Sequence, residues 1–319
     1  MTQPVDIVFS PVPPGGRVPY WRLVLRSCSQ LCFQTNELTG LCFLAAVLVA
    51  SPIAAAYMLI AAIIAPGGRM LLGERGPVLA TGLPGLNPCL IAVSLPAFFQ
   101  TGWTNLGMWG VLLACVAIAV VLVRILVAVL PFPILALPFL IIFWVLHALV
   151  PHIDVLQPIA FGATEPAAFH PLTAVIFSLG QAVFSPTILS GMLFIAGMFL
   201  SDRRHALIAL LGGVIGTFVS YYRDVDPASV NLGLYGFNGV LTAVSVFVIC
   251  GGRLRLAVLG ALLATIMMPA IADLGLQTQS APFVFTTWLV LALGWIEDKW
   301  FGVEETSEQP PPRIPEQNI

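Results

Sequence analysis

Long apolar runs dominate this chain, punctuated by short polar breaks rather than alternating with them. Leu38–Gly68, Gly76–Val123, Ile125–Ile153 and Pro166–Ser201 contain no Asp, Glu, Lys or Arg. A bilayer-spanning helix needs ~20 apolar residues to cross a hydrocarbon core about 30 Å thick. Backbone polar groups in lipid must satisfy one another, so spans are helices or closed barrels. Continuous rather than alternating hydrophobicity selects helices. The pattern predicts an all-α polytopic membrane protein.

The pattern also repeats. Gln30–Ser94 aligns with Gln181–Ser245 at a constant offset of 151 residues. Gln30-Leu31-Cys32-Phe33 recurs as Gln181-Ala182-Val183-Phe184, and Gly40 as Gly191. Gly85-Leu86-Asn87-Pro88-Cys89-Leu90 recurs as Gly236-Phe237-Asn238-Gly239-Val240-Leu241. Further on, at a changed offset, Pro138-Phe139 and Trp144 align with Pro282-Phe283 and Trp288. Membrane proteins built from two copies of one unit keep their solute path where the copies meet. The repeat divides the chain into a flexible N-terminal segment (1–20), a first repeat (21–150), an inter-repeat loop (151–171), a second repeat (172–300) and an acidic, proline-rich, disordered C-terminal tail (301–319).

The two copies inform each other. Leu38–Ala65 reads as one long span or two short ones. Its counterpart is interrupted by Asp202-Arg203-Arg204-His205, which aligns with Ser51-Pro52-Ile53-Ala54. Two short helices are therefore expected, turning at Ser51-Pro52. The Asn signature opens a third segment. Leu106–Leu130 pairs with Leu256–Ile271, and Leu135–Val150 with Pro282–Ile296. Trp21–Cys28 and Leu172–Leu179 are too short to cross and read as re-entrant half-helices, which are tolerated where they line a protein cavity. The expected architecture is two inverted homologous repeats of five transmembrane helices plus a re-entrant half-helix each.

Charge supports the inversion. With five spans per copy, Arg17, Arg22, Arg26, Arg69, Arg75, Arg203, Arg204, Arg253, Arg255 and Lys299 share one face. Asp154, Glu165, Asp224, Asp226 and Asp273 share the other, with Arg223 against the trend. The positive-inside rule makes the basic face cytoplasmic, with both termini inside a cell (inner) membrane.

Composition removes other classes. Hydrophobic residues make up 59% and charged residues 9%, which cannot build a soluble surface. A net charge of −2 and a single lysine argue against nucleic acid as a partner. The six cysteines lie in apolar stretches without zinc or disulfide spacing. No two of the four histidines share i, i+4 spacing within a span, and no His-Glu-x-x-His or Gly-x-Ser-x-Gly occurs. No metal, no cofactor and no enzymatic activity are expected. Nor does the core carry the lysine or carboxylate pair that ion-coupled carriers place in their spans. Arg124 reads as a helix-end anchor that snorkels to the membrane surface.

What recurs in the core is neutral: Gln30 and Gln181, Phe33 and Phe184, and the two Asn signatures. Glutamine offers both an acceptor and donors. A pair of them at a repeat interface suits a small, polar, uncharged solute, with nearby rings admitting a flat molecule. The same residues would equally serve to bridge helices and pack.

At these residues the chain resembles a known family. Gly233-Leu234-Tyr235-Gly236-Phe237-Asn238-Gly239-Val240-Leu241 resembles the signature of urea transporters. Leu130-Pro131-Phe132-Pro133-Ile134-Leu135-Ala136-Leu137-Pro138-Phe139 resembles the family's second signature, a Leu-Pro run ending in Thr-x-Pro-Phe. The resemblance covers roughly Arg26–Trp295. It implies a passive urea channel, a homotrimer in membrane lipid with one pore per subunit. It further implies a narrow slot where phenylalanines sandwich the planar solute and a line of oxygens accepts its N–H groups. Carried over position by position, Gln30 and Gln181 are the polar positions, and Phe33, Phe184 and Phe237 the aromatic ones. Leu90 and Leu241 line the slot, and Leu31 and Ala182 are the small apolar positions beside the glutamines.

The chain departs from that pattern in four places. Ala136 and Ser280 stand at the central threonine, Leu86 replaces an aromatic opposite Phe237, and Pro88 enters the first Asn signature. A wider slot for another small neutral amide, or an ion-coupled carrier of such a solute, is the competing reading. A membrane enzyme or sensor retaining the fold is a third. Ala136→Thr restores the family residue and is expected to lower the acetamide-to-urea permeability ratio in proteoliposomes. Equal ratios before and after the substitution would refute the reading of this position.

Overall fold

The computed structural model describes residues 18–160, 167–275 and 277–301. Most of segment 1–20, nearly all of tail 301–319 and part of loop 151–171 lie outside the described residues. Among the described residues, fourteen α-helices form two sets of seven that correspond in order. The first set is α1 (Tyr20–Ser29), α2 (Glu37–Ala50), α3 (Pro52–Leu71), α4 (Pro77–Ala80), α5 (Leu86–Phe98), α6 (Leu106–Val129) and α7 (Leu137–Leu149). The second is α8 (Pro171–Gln181), α9 (Ile188–Ser201), α10 (Arg203–Tyr222), α11 (Pro227–Asn231), α12 (Gly236–Ile249), α13 (Leu254–Ala272) and α14 (Ala281–Phe301). Among the described residues the β pairing is one isolated bridge, Phe99 with Pro158.

The breaks fall where local chemistry puts them. Asn36 and Thr187 cap α2 and α9 by accepting from the N–H groups of Thr39 and Ser190, at 3.0 and 3.1 Å. Ser51 caps α3, with Pro52 at its first position, and Asp202 caps α10. These are the side chains that satisfy orphan donors at a helix start. The turn expected at Ser51-Pro52 therefore exists, and its charged counterpart does the same work in the second set.

Helix length sets the crossing elements. α3, α6, α10 and α13 are each long and apolar enough to span a bilayer. α1 with its following turn and α2 pass the same test together but bend by 70°, as a broken span or re-entrant element does. The remaining apolar helices that fall short are mostly of 10–17 residues. At 1.5 Å per residue, 14 residues reach only about 21 Å. Length and composition alone thus identify four or five crossing elements among the described residues. The ten spans expected from the sequence exceed this number.

The halves meet at α2 and α9. Phe43 and Phe194, equivalent in the repeat, stack face to face at 4.7 Å and 5°. Thr39 Oγ1 donates to the Gly197 carbonyl, and Ser190 Oγ donates to the Ala46 carbonyl, each at 2.7 Å. The indole of Trp144 donates to Gln277 O at 2.9 Å, and that of Trp288 to Pro133 O at 2.7 Å. Each contact has its mirror, so a near-two-fold relation runs between Phe43 and Phe194.

Close approach of the half-helices demands glycine. A Cβ on Gly40 would lie 2.0 Å from Leu25 O, and one on Gly191 would lie 2.2 Å from Ile176 O. Gly110, on the exposed side of α6, has nothing within 4 Å of that position. Gly191→Ala is expected to lower stability by about 1–3 kcal/mol through overpacking. Gly110→Ala is expected to raise it by up to about 1 kcal/mol through helix propensity. Thermal unfolding midpoints in detergent compare the two.

Candidate functional site

The half-helices α1 and α8 each end in a sharp turn carrying a phenylalanine in the left-handed region, Phe33 at φ 58° and Phe184 at φ 56°. Such a conformation costs a non-glycine residue on the order of 1 kcal/mol or more and persists only when its surroundings hold it. Backbone bonds hold it here. Phe33 N–H donates to Gln30 O at 3.0 Å and Phe184 N–H to Gln181 O at 2.9 Å.

The two glutamines anchor the same turns. Gln30 Nε2 donates to Thr81 O at 2.8 Å and to Thr35 Oγ1 at 3.1 Å. Gln181 Nε2 donates to Leu232 O at 3.3 Å. Their amide nitrogens therefore tie each half-helix to the loop before the Asn signature. Of the two roles open in the sequence, bridging and solute binding, these bonds show bridging. The nitrogen bridges, and the carbonyl oxygen stays outside these bonds.

The Asn signatures are clamps. Asn87 Nδ2 donates to Leu135 O at 3.0 Å, and its Oδ1 accepts from Phe139 N–H at 2.9 Å. Asn238 repeats this with Gln279 O at 3.1 Å and Phe283 N–H at 3.2 Å. Leu135 and Gln279 are themselves left-handed, at φ 49° and 43°. Each clamp satisfies a carbonyl at a strained turn and an orphan N–H in the first turn of α7 or α14, where water is excluded. Pro138 and Pro282, second in those helices, remove another orphan donor.

The clamps orient rings toward the opposite half. Phe33 lies 5.9 Å from Phe283, and Phe184 lies 6.1 Å from Phe139. Each pair takes one ring from either half. Phe98 packs on Phe184 at 6.1 Å. Leu31, Leu86, Leu90, Ala136, Ala182, Leu241 and Ser280 are buried around these turns, and Phe33, Gln181, Phe184 and Phe237 are half-buried. Two hydroxyls in the second half, Ser280 Oγ and Thr242 Oγ1, are buried without a hydrogen-bond partner among the described residues. An unmade bond of that kind costs about 1–3 kcal/mol. A cavity of about 560 Å³ opens beside Phe33 and Leu86 and is also lined by Asn87, Leu135 and the paired Arg69 and Glu74. Behind α1, Glu37 accepts from Arg22 Nε at 2.5 Å and Arg26 Nε at 2.9 Å, which pins the half-helix to α2.

Sequence reasoning missed the pairing of the Phe139 and Phe283 rings with Phe184 and Phe33 and the clamping role of Asn87 and Asn238. The aligned Pro-Phe pairs carried the signal for the rings. Thr242 carried none, because its counterpart is Ile91.

Short broken helices, matched across a near-two-fold relation and presenting ring pairs from both halves, define a helical membrane transport protein. The chain belongs to the urea transporter family: that family's model matches residues 21–294. Urea transporter 1 of Ovis aries is 23% identical over 296 residues, covering 85% of this chain and 76% of the relative. Urea transporter 1 of Rattus norvegicus is 22% identical over 237 residues, covering 70% of this chain and 62% of the relative.

Asn238→Leu leaves Gln279 O and Phe283 N–H buried without partners. The substitution is expected to destabilise the protein by about 1–3 kcal/mol per stranded group. Unfolding of wild type and variant in detergent checks this, and equal stability would contradict the clamp.

Proposed function

We propose that this protein carries urea down its gradient by facilitated diffusion, through a slot between residues 21–150 and 172–300 acting as two inverted units. The observation that carries the reading is Ser280: a buried hydroxyl, without a hydrogen-bond partner among the described residues, on the turn that presents Phe283 to Phe33 of the other half. Membership of the urea transporter family supports the solute.

Urea is planar, neutral and strongly hydrated. Taking its polar groups from water without replacement costs several kcal/mol. In this reading the carbonyl oxygens of Gln30 and Gln181 and the Ser280 hydroxyl replace those bonds in turn. Phe33 with Phe283 and Phe184 with Phe139 hold the molecular plane, and Leu90 and Leu241 close the sides. Phe237 and Leu86 flank the two mouths, and Leu31, Ala182 and Ala136 leave room beside the polar groups. Nothing in the scheme needs an ion gradient or a cofactor.

The exposed apolar face of α6, only a third of which is buried, belongs against lipid or neighbouring subunits of a homotrimer. The basic face is cytoplasmic in this reading, in a cell (inner) membrane. Ala136, buried and unable to hydrogen-bond, favours a slot that also passes a slightly larger amide.

The test is stopped-flow light scattering on proteoliposomes. Protein-dependent urea flux is expected without any proton or sodium gradient, and Ser280→Ala should reduce it roughly fivefold, the effect of one hydrogen bond. Absent flux, or flux that requires an ion gradient, would overturn the proposal.

A further inference from the structure

The two ring-bearing turns are alike in backbone but not in how they are held. Gln34, next to Phe33, is buried, and its Oε1 lies 3.1 Å from Nδ1 of His205 in the other half. Its Nε2 donates to Cys32 O at 2.8 Å, which fixes the amide orientation. His205 Nδ1 must then carry the hydrogen and donate. The imidazole is itself held. The His205 backbone N–H donates to Asp202 Oδ1 at 3.3 Å, and its ring sits edge-on to Phe247 at 6.0 Å. The Gln34 backbone is fixed too, its N–H donating to Ser29 O at 3.2 Å and its carbonyl accepting from Ser29 Oγ at 2.6 Å.

At the equivalent turn Ser185 stands for Gln34, and its hydroxyl donates to Val183 O at 3.2 Å within the same turn. Ala54 stands for His205 and has no side chain to bond with. One ring is thus tied across the interface by a pair of side chains, and its counterpart is not.

We infer that His205 and Gln34 are positioning residues for Phe33, holding its ring against Phe283 and so setting the solute size limit at that end of the slot. The inference rests on the proposed conduction of urea. Losing the contact frees the turn to widen. It does not remove a group that touches solute.

The readout is the permeability ratio of N-methylurea to urea in proteoliposomes. His205→Ala and Gln34→Met are expected to raise the ratio roughly fivefold, as loss of one neutral hydrogen bond would. His205→Asn, whose amide nitrogen stands close to the place of Nδ1, should restore the wild-type ratio, whereas His205→Gln should not. Ser185→Ala, at the untied turn, should leave it unchanged. If His205→Ala does not fold, Gln34→Met decides. An unchanged ratio in the folded variants, or identical behaviour of His205→Asn and His205→Gln, would overturn the inference while urea conduction stood. Absence of wild-type urea flux would overturn the conduction reading and this one with it.

Discussion

A helix that breaks inside a bilayer strands backbone N–H and C=O groups where no water can reach them, and this constraint shapes the turns around the ring pairs. The protein breaks its helices there anyway, at Phe33, Phe184, Leu135 and Gln279. The turns at Leu135 and Gln279 are repaired by side chains from elsewhere in the chain, and those at Phe33 and Phe184 by backbone bonds to Gln30 O and Gln181 O. Asn87 and Asn238 clamp the turns before α7 and α14, and Gln30 and Gln181 reach the Thr81 and Leu232 carbonyls. The indoles of Trp144 and Trp288 reach across to carbonyls of the opposite half. Asn87 and Asn238 are thus structural at both ends of the amide, and Gln30 and Gln181 through their nitrogens.

Duplication makes that repair economical. Because the halves are related by a near-two-fold axis, one set of interactions appears twice, and the Thr39 and Ser190 bonds close the axis symmetrically. Phe43 and Phe194 stack across it, leaving no room there for a solute. The Phe33–Phe283 and Phe184–Phe139 pairs are each shared between halves. Departures from symmetry then carry specific meaning: Ser280 against Ala136, Phe237 against Leu86, and the His205–Gln34 tie against Ala54 and Ser185.

Much of this was legible in the residues. The offset of 151 residues located the Ser51-Pro52 break, although α3 beyond it, expected to be short, is 20 residues and long enough to span. Apolar runs fixed the helical membrane class, and the Asn signature pointed to the family. What stayed hidden was partnership. Nothing in Gly-x-Asn says that the amide clamps a carbonyl 48 residues away in one half and 41 in the other. The His205–Gln34 contact spans 171 residues and has no copy in the first half, so the repeat could not reveal it. Span counting was limited for a similar reason. Helices of 10–17 residues cannot be scored as crossing by length, only by what they pack against.

The central proposal is facilitated diffusion of urea through a slot between the two halves, which requires no rocking of one half against the other. Introducing cysteines by Ala46→Cys and Ser190→Cys, where the Ser190 hydroxyl now meets the Ala46 carbonyl, allows the halves to be locked by a disulfide. Urea flux through proteoliposomes, measured in the oxidised and reduced states of that variant, tests the claim most directly. The account predicts equal flux in both states. Flux that stops on oxidation and returns on reduction would contradict it and mark an alternating carrier.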